Sequence, residues 1–234
     1  MFKIVTVGAI VPTTLFFAIL IIIASFFQKT GNIPHCIARC WARIVLFISR
    51  VRMNVEGLEN IDPGKTYIYM ANHQSMYDIP ALQGHLTVQF RWLAKIELFS
   101  IPFFGHAMSR AGYIQIDRSN RRAAFQSIGK AAERIQGGAS VVVFPEGSRS
   151  KDGNLKPFKK GGFVLALKSK QPIVPVTILG SRSILPKGSL EVQPGKIIVR
   201  VHPPIDTTGF TSKTIDGLME SVRSVIAKDM EEYQ

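Results

Sequence analysis

The chain has 234 residues, 46% of them hydrophobic, and a formal net charge of +13 from 29 Lys and Arg against 16 Asp and Glu. That length suits one domain with a full core and perhaps an appendage, and the charge implies polyanionic company: nucleic acid, anionic lipid or a phosphorylated substrate. Cys36 and Cys40 are the only cysteines; two are too few for a disulfide framework or a cysteine metal site, so no metal is indicated and a reducing compartment is expected.

From Ile4 to Phe27 the sequence IVTVGAIVPTTLFFAILIIIASFF carries no charge over 24 residues. As a helix it would be about 36 Å long, against about 30 Å for a bilayer core. No clear A-x-A cleavage site follows, so a retained anchor is expected rather than a removed signal. Lys29, Arg39, Arg43, Arg50 and Arg52 follow this run and only Lys3 precedes it, which puts the downstream chain on the cytoplasmic face. Lipid is therefore the expected polyanion, and no nucleic acid is expected. In the next stretch, IPHCIARCWARIVLFISR, Arg39, Arg43 and Arg50 fall on one helical face and Ile37, Trp41, Ile44 and Ile48 on the other. A helix lying in the bilayer surface has that pattern, and so does an ordinary core-packing helix. Residues 1–50 are expected to form an apolar two-helix membrane anchor and residues 51–234 the working domain.

Beyond residue 50, β-like runs alternate with helical ones. VRMNVEG and TYIYMAN read as strands, followed by a short helix near residues 79–84. TVQFRWLA and YIQID are further strand candidates, separated by helical or irregular chain to Ala111. SNRRAAFQSIGKAAERIQGG reads as a helix with Ser119 or Asn120 as cap, an apolar stripe of Phe125, Ile128, Ala132 and Ile135, and Gly137 at its end. ASVVVF is a continuous apolar run, expected of a strand buried on both faces. A helix near 160–169, strands PIVPVTI and KIIVRV, and a helix from about Ser212 complete the chain. Such alternation predicts an α/β fold with a mostly parallel sheet flanked by helices.

In sheets of that kind, working groups gather where strands end. Three polar clusters follow three predicted strands: HQSMYD, DRSNRR and PEGSRS. In the first, His73 and Asp78 are five residues apart, about 140° apart on a regular helix and on opposite sides of a strand. They meet only if the chain bends between them, and Pro80 disfavours helix at Ile79. A histidine merely satisfied by a carboxylate in the core would show the same pair. Functionally, Asp78 would fix the imidazole tautomer and leave the other nitrogen to take a proton. No G-x-S-x-G occurs, so a serine-elbow hydrolase has no support and a substrate hydroxyl is the expected proton source. In FPEGSRS, Gly147 permits close backbone approach and Arg149 can fork onto a phosphate. Arg118, Arg121 and Arg122 stand at a helix start, where anions are favoured, though a solvated basic face accounts equally well for Arg121 and Arg122. Lys95 and KPFKKGGF extend the positive charge.

These blocks together resemble the 1-acyl-glycerol-3-phosphate acyltransferase family. NHQSMYD matches the family's first block, N-H-x4-D; GYIQIDRSNRR, FPEGSRSKDGNLKPFKKGGF and IVPVTI match the second, third and fourth, in the family order across residues 72–178. Ser148 departs from the commoner threonine and keeps the hydroxyl. The resemblance implies the glycerolipid acyltransferase fold and a transfer of an acyl chain from a thioester to the sn-2 hydroxyl of lysophosphatidate, giving phosphatidate. His73 would be the general base and Asp78 its orienting partner. Arg118, Glu146, Gly147 and Arg149, with Lys95, would form the acceptor's glycerol-phosphate site, and Pro175 would help shape it. No cofactor is implied; acyl-CoA or an acylated carrier protein would be the donor substrate, and membrane lipids the other partners. An acyltransferase acting on another lysolipid, and more remotely a non-catalytic basic membrane-binding protein, are the alternatives.

Overall fold

The computed structural model describes residues 2–233 apart from the side chains of residues 2–5 and of Arg121, so the expectation for Arg121 lies outside the described residues. Two long helices come first, α1 (Phe2–Phe27) and α2 (Asn32–Ile48), then β1 (Val51–Glu56), β2 (Ile68–Ala71), α3 (Asp78–His85) and β3 (Phe90–Lys95). Next are the short helices α4 (Ile96–Phe99) and α5 (Phe104–Arg110), β4 (Ile114–Ile116), α6 (Arg121–Gln136), β5 (Ser140–Val143) and α7 (Lys160–Ser169). The chain finishes with β6 (Ile173–Leu179), α8 (Ser181–Ile184), β7 (Gly195–Val201) and α9 (Ile215–Glu232).

The strands form one seven-stranded sheet in the order β1-β7-β6-β2-β5-β3-β4, and only the β6–β7 pairing is antiparallel. Its centre is buried on both sides, which is why VVV and IVPVTI read as unbroken apolar runs. Side chains alternate between two cores: Tyr69, Ala71, Val142, Val174 and Val176 pack toward α2 and α3, while Ile68, Met70, Val141, Val143 and Ile173 pack toward α6, α7 and α9. Asn120 caps α6 by accepting the Ala123 N–H at 2.9 Å. The stripe of α6 holds for Ile128, Ala132 and Ile135, but Phe125 is 57% exposed and carries the Lys168 ammonium over its ring at 3.5 Å. The short helix α8 has no signal in the sequence reading; four residues are too few to show a period.

α1 and α2 pack together, with Trp41 Nε1 donating to Thr14 Oγ1 at 3.0 Å. Thr6–Phe27 is long and apolar enough to cross a membrane, with mean hydropathy 2.6, yet only 17% of its most apolar window is buried. A soluble core helix of that composition would be mostly buried, and here Val11, Leu15, Phe16, Ile19, Ile23 and Phe26 are exposed. α2 behaves differently from the surface-lying expectation. Val45 and Leu46 belong to the core under the sheet. Arg39 donates to the carbonyls of Leu86 (3.0 Å) and Val88 (2.8 Å), and Arg43 Nε to that of Gly84 (2.9 Å). These two arginines were expected at lipid headgroups; Arg43 instead satisfies the Gly84 carbonyl in the last turn of α3, and Arg39 the carbonyls of Leu86 and Val88 in the chain that follows it.

Candidate active site

Four parallel strands, β2, β5, β3 and β4, lie side by side. Being parallel, they deliver the residues after their carboxyl ends to one edge of the sheet. His73 follows β2, Phe144 to Arg149 follow β5, Lys95 ends β3 and Arg118 follows β4. The strand order, invisible in the sequence, brings the three polar clusters together.

The histidine turn is built residue by residue. Asn72 is fully buried and substitutes for a peptide in the ladder to β6, accepting the Ile178 N–H at 2.7 Å and donating to the Ile178 carbonyl at 2.8 Å. The chain then leaves the sheet. Gln74 Nε2 donates to the Gly153 carbonyl, Ser75 Oγ to that of Leu185, and Tyr77 and Ser49 share a hydroxyl–hydroxyl bond. Asp78, with no exposed surface, closes the loop. Its Oδ2 accepts His73 Nδ1–H at 2.7 Å, Gln74 N–H at 2.7 Å and Ser75 N–H at 2.9 Å. Three charge-assisted bonds offset the desolvation that a buried carboxylate otherwise suffers. The bend lies in residues 73–77 and not at Pro80, which sits in the first turn of α3 where a missing N–H is harmless.

With Nδ1–H donating to Asp78, the lone pair of His73 is on Nε2. The ring stacks face to face on Phe144, centroids 3.9 Å apart and planes at 8°, and Phe144 in turn stacks on Trp92. The sequence shows Phe144 only as a strand end; its place beneath His73 follows from the parallel pairing of β2 and β5.

His73 lines a cavity of about 640 Å³. Part of its wall is apolar, formed by Phe17, Ala18 and Ile21 of α1 with Trp41, Leu98 and Met108. Part is cationic, with Lys95, Arg118, Arg149 and Lys187 beside Gly147 and Ser148. Gly147 has φ +73°, and a Cβ there would meet the Lys159 side chain at 3.0 Å and Arg118 Nη1 at 3.2 Å. Its glycine thus lets Arg118 approach and donate to the Gly147 carbonyl at 3.3 Å. Lys187, from the loop after α8, donates to the Arg149 carbonyl at 2.8 Å. Desolvation, followed by repulsion from Lys156, Lys151, Arg149 and Lys95, lowers its affinity for a proton below the usual lysine range. Lys187 went unnoticed in the sequence because it stands outside every motif, 38 residues from Arg149.

Two residues that the resemblance assigns to the acceptor site do not line this cavity. Glu146 is 1% exposed and does not line the cavity; its Oε1 accepts the His73 N–H at 2.6 Å and its Oε2 the Lys156 N–H at 3.1 Å. Burial, the largest influence, raises its carboxyl to about 7 against the opposing pull of those two amides. Pro175 is buried in the middle of β6 opposite Met70 and does not reach the cavity either. Among the described residues no group of three or more His, Cys, Asp or Glu is arranged to hold a metal.

The model of the acyltransferase family matches residues 52–179, from β1 through β6. The chain belongs to that family. The chloroplastic 1-acyl-sn-glycerol-3-phosphate acyltransferase LPAT1 of Arabidopsis thaliana is 38% identical over 199 residues, 84% of this chain and 54% of the relative. The 1-acyl-sn-glycerol-3-phosphate acyltransferase of Saccharomyces cerevisiae is 34% identical over 83% of this chain and 65% of its own length. This acyltransferase chain therefore spans about half the length of the plant chloroplastic relatives it matches. The crystal structure of PlsC, the 1-acyl-sn-glycerophosphate acyltransferase of Thermotoga maritima, aligns with a TM-score of 0.84 at 29% identity, covering 99% of this chain and 97% of that one.

Proposed function

We propose that this acyltransferase moves an acyl chain from a thioester to the sn-2 hydroxyl of 1-acyl-glycerol-3-phosphate. One observation carries the reading: an Asp-oriented histidine lines a cavity whose wall combines apolar side chains with a cluster of cations, so that base, acyl chain and phosphate have sites in one cavity. The acceptor's phosphate is held by Arg149 and Arg118, with Lys95 and Lys187 beside them, and Gly147 keeps the backbone out of the way. His73 Nε2 takes the proton as the hydroxyl oxygen attacks the thioester carbonyl. The tetrahedral intermediate collapses with cleavage of the C–S bond, and the imidazolium returns the proton to the departing thiolate. No acyl-enzyme is needed, since the thioester is already activated. General-base help of this kind supplies about 10²–10⁴-fold, the remainder coming from positioning and charge stabilisation.

The donor is acyl-CoA or an acylated carrier protein, used as a substrate, with no cofactor. Residues 1–50 anchor the chain in the membrane and add part of the cavity wall, while 51–234 carry the base and the cations, with the site on the cytoplasmic face. The outward apolar face of α1 meets lipid while its inner face walls the cavity, which gives a lipid acceptor a route from the bilayer to His73. A panel of lysolipid acceptors with one labelled thioester tests the reading: a preference for lysophosphatidate supports it, and a preference for an uncharged or zwitterionic acceptor overturns the assigned phosphate site.

A further inference from the structure

The peptide of His73 is held from both sides by the segment after β5. Its N–H goes to Glu146 Oε1 at 2.6 Å, and its carbonyl accepts the Ser150 N–H at 2.8 Å. Glu146 spans further, since its other oxygen takes the Lys156 N–H at 3.1 Å. This carboxylate holds a main-chain amide on each oxygen, is almost wholly buried and does not line the cavity, so a substrate cannot reach it. It lies next to the reaction all the same, one peptide from the base.

We propose that Glu146 is a positioning residue for the transfer: it acts through the peptide of His73, fixing how far the imidazole projects into the cavity, and does not touch the acceptor. This rests on the acyl transfer proposed above. Asp78 sets the tautomer and rotation of the ring, whereas Glu146 and Ser150 set the anchor point from which the ring projects. Misplacement by about 1 Å can lower a rate about 10²-fold, so an anchor on the backbone matters as much as one on the ring. Only an ionised carboxylate can accept from both amides. Protonation turns one oxygen into a donor facing an N–H and breaks one of the two links. The titratable groups facing Glu146 are His73 from the turn before α3, Asp78 at the start of α3 and Lys156 on its own segment. Desolvation raises its carboxyl to about 7, within the range where an enzyme assay is readily made.

The test is Glu146→Gln, which keeps the shape but offers one N–H pair a donor in place of an acceptor. Wild type, Glu146→Gln and His73→Ala are assayed with lysophosphatidate and an acyl thioester from pH 5 to 9. Glu146→Gln is expected to lower kcat roughly 10–100-fold with acceptor KM within about twofold of wild type. On the acid side, wild-type kcat is expected to fall with a slope approaching two in log kcat against pH, because His73 must be neutral and Glu146 ionised; the variant should keep a slope of one. A rise in acceptor KM at unchanged kcat would make Glu146 a substrate contact and overturn the proposal, as would unchanged kinetics. If the variant fails to fold, the wild-type acid limb decides alone, and a slope of one counts against the proposal. Activity that survives in His73→Ala would instead defeat the underlying reading and is separately visible.

Discussion

Asp78→Asn isolates the chemistry from the architecture. The side chain keeps its volume, and one amide oxygen can still accept the Gln74 and Ser75 N–H groups, now at 2.7 and 2.9 Å. What it cannot do is accept those amides and present a charged acceptor to His73 Nδ1–H, now 2.7 Å away. Turning its NH2 toward the ring would force the opposite tautomer and put the proton on Nε2. Either way, the base loses the partner that stabilises its charged form in the transition state. The whole general-base contribution of about 10²–10⁴ is then at risk, roughly 3–5 kcal/mol at about 1.36 kcal/mol per tenfold. Loss of one charge-assisted bond lowers stability by about 1.5–3 kcal/mol, or a Tm decrease of about 3–12 °C for a chain of this size. Because Asp78 is buried behind the ring and does not line the cavity, acceptor KM should stay within about twofold. The assay is steady-state release of free thiol with lysophosphatidate as acceptor, at a temperature where circular dichroism shows the variant folded. A folded Asp78→Asn enzyme with more than about a tenth of wild-type kcat would refute the reasoning.

Further outcomes follow from the same geometry. Arg149→Ala should raise acceptor KM roughly tenfold to a hundredfold, the equivalent of a charge-assisted bond, and an unchanged KM in a titration of lysophosphatidate removes its role. Arg39→Ala strips two carbonyls of their donor and should lower Tm by several degrees while leaving vesicle binding intact; a headgroup-binding arginine would show the reverse in a flotation assay. Glu146 is raised from 4.5 to about 7 in the folded state. A carboxyl shifted upward favours the folded state when protonated, so wild-type stability should decline between about pH 4.5 and 7 relative to Glu146→Gln, by roughly 3 kcal/mol in total. Parallel chemical denaturation of both proteins at pH 5 and 8 checks that sign, and a gap that does not change with pH contradicts the assigned burial. Ionic strength should raise acceptor KM more than donor-independent kcat, since the cationic mouth is partly exposed and screened by salt.

Most of the residues that line the candidate site stand out in the chain because strands advertise themselves by apolar runs and the polar residues follow at once. HQSMYD after TYIYMAN and PEGSRS after ASVVVF were recognisable for that reason. What the sequence withheld was adjacency. Nothing in it says that β5 lies between β2 and β3, and without that order Phe144 cannot be seen under His73 or Arg118 beside Gly147. Glu146 shows a related limit: in the sequence a carboxylate next to an anion site looks like a ligand for a hydroxyl, and its two backbone partners, 73 positions before it and 10 after it, appear only in the fold. Lys187 and the α1 residues Phe17, Ala18 and Ile21 enter the cavity only through tertiary packing. The apolar length of α1 suggested an anchor, and no period in it could reveal that one face encloses the site. Arg39 and Arg43 carried the signature of a headgroup face, yet the same spacing suits a helix whose arginines cap a neighbour.

The central claim is that His73 passes the proton of a lipid hydroxyl during acyl transfer. The most direct measurement incubates purified wild type and His73→Ala in mixed micelles with lysophosphatidate and an acyl thioester, following free thiol and lipid product together. The account predicts phosphatidate formed one for one with thiol by the wild type, and neither formed above background by the folded variant. Thiol released without acylated lipid, or normal turnover by His73→Ala, would contradict it.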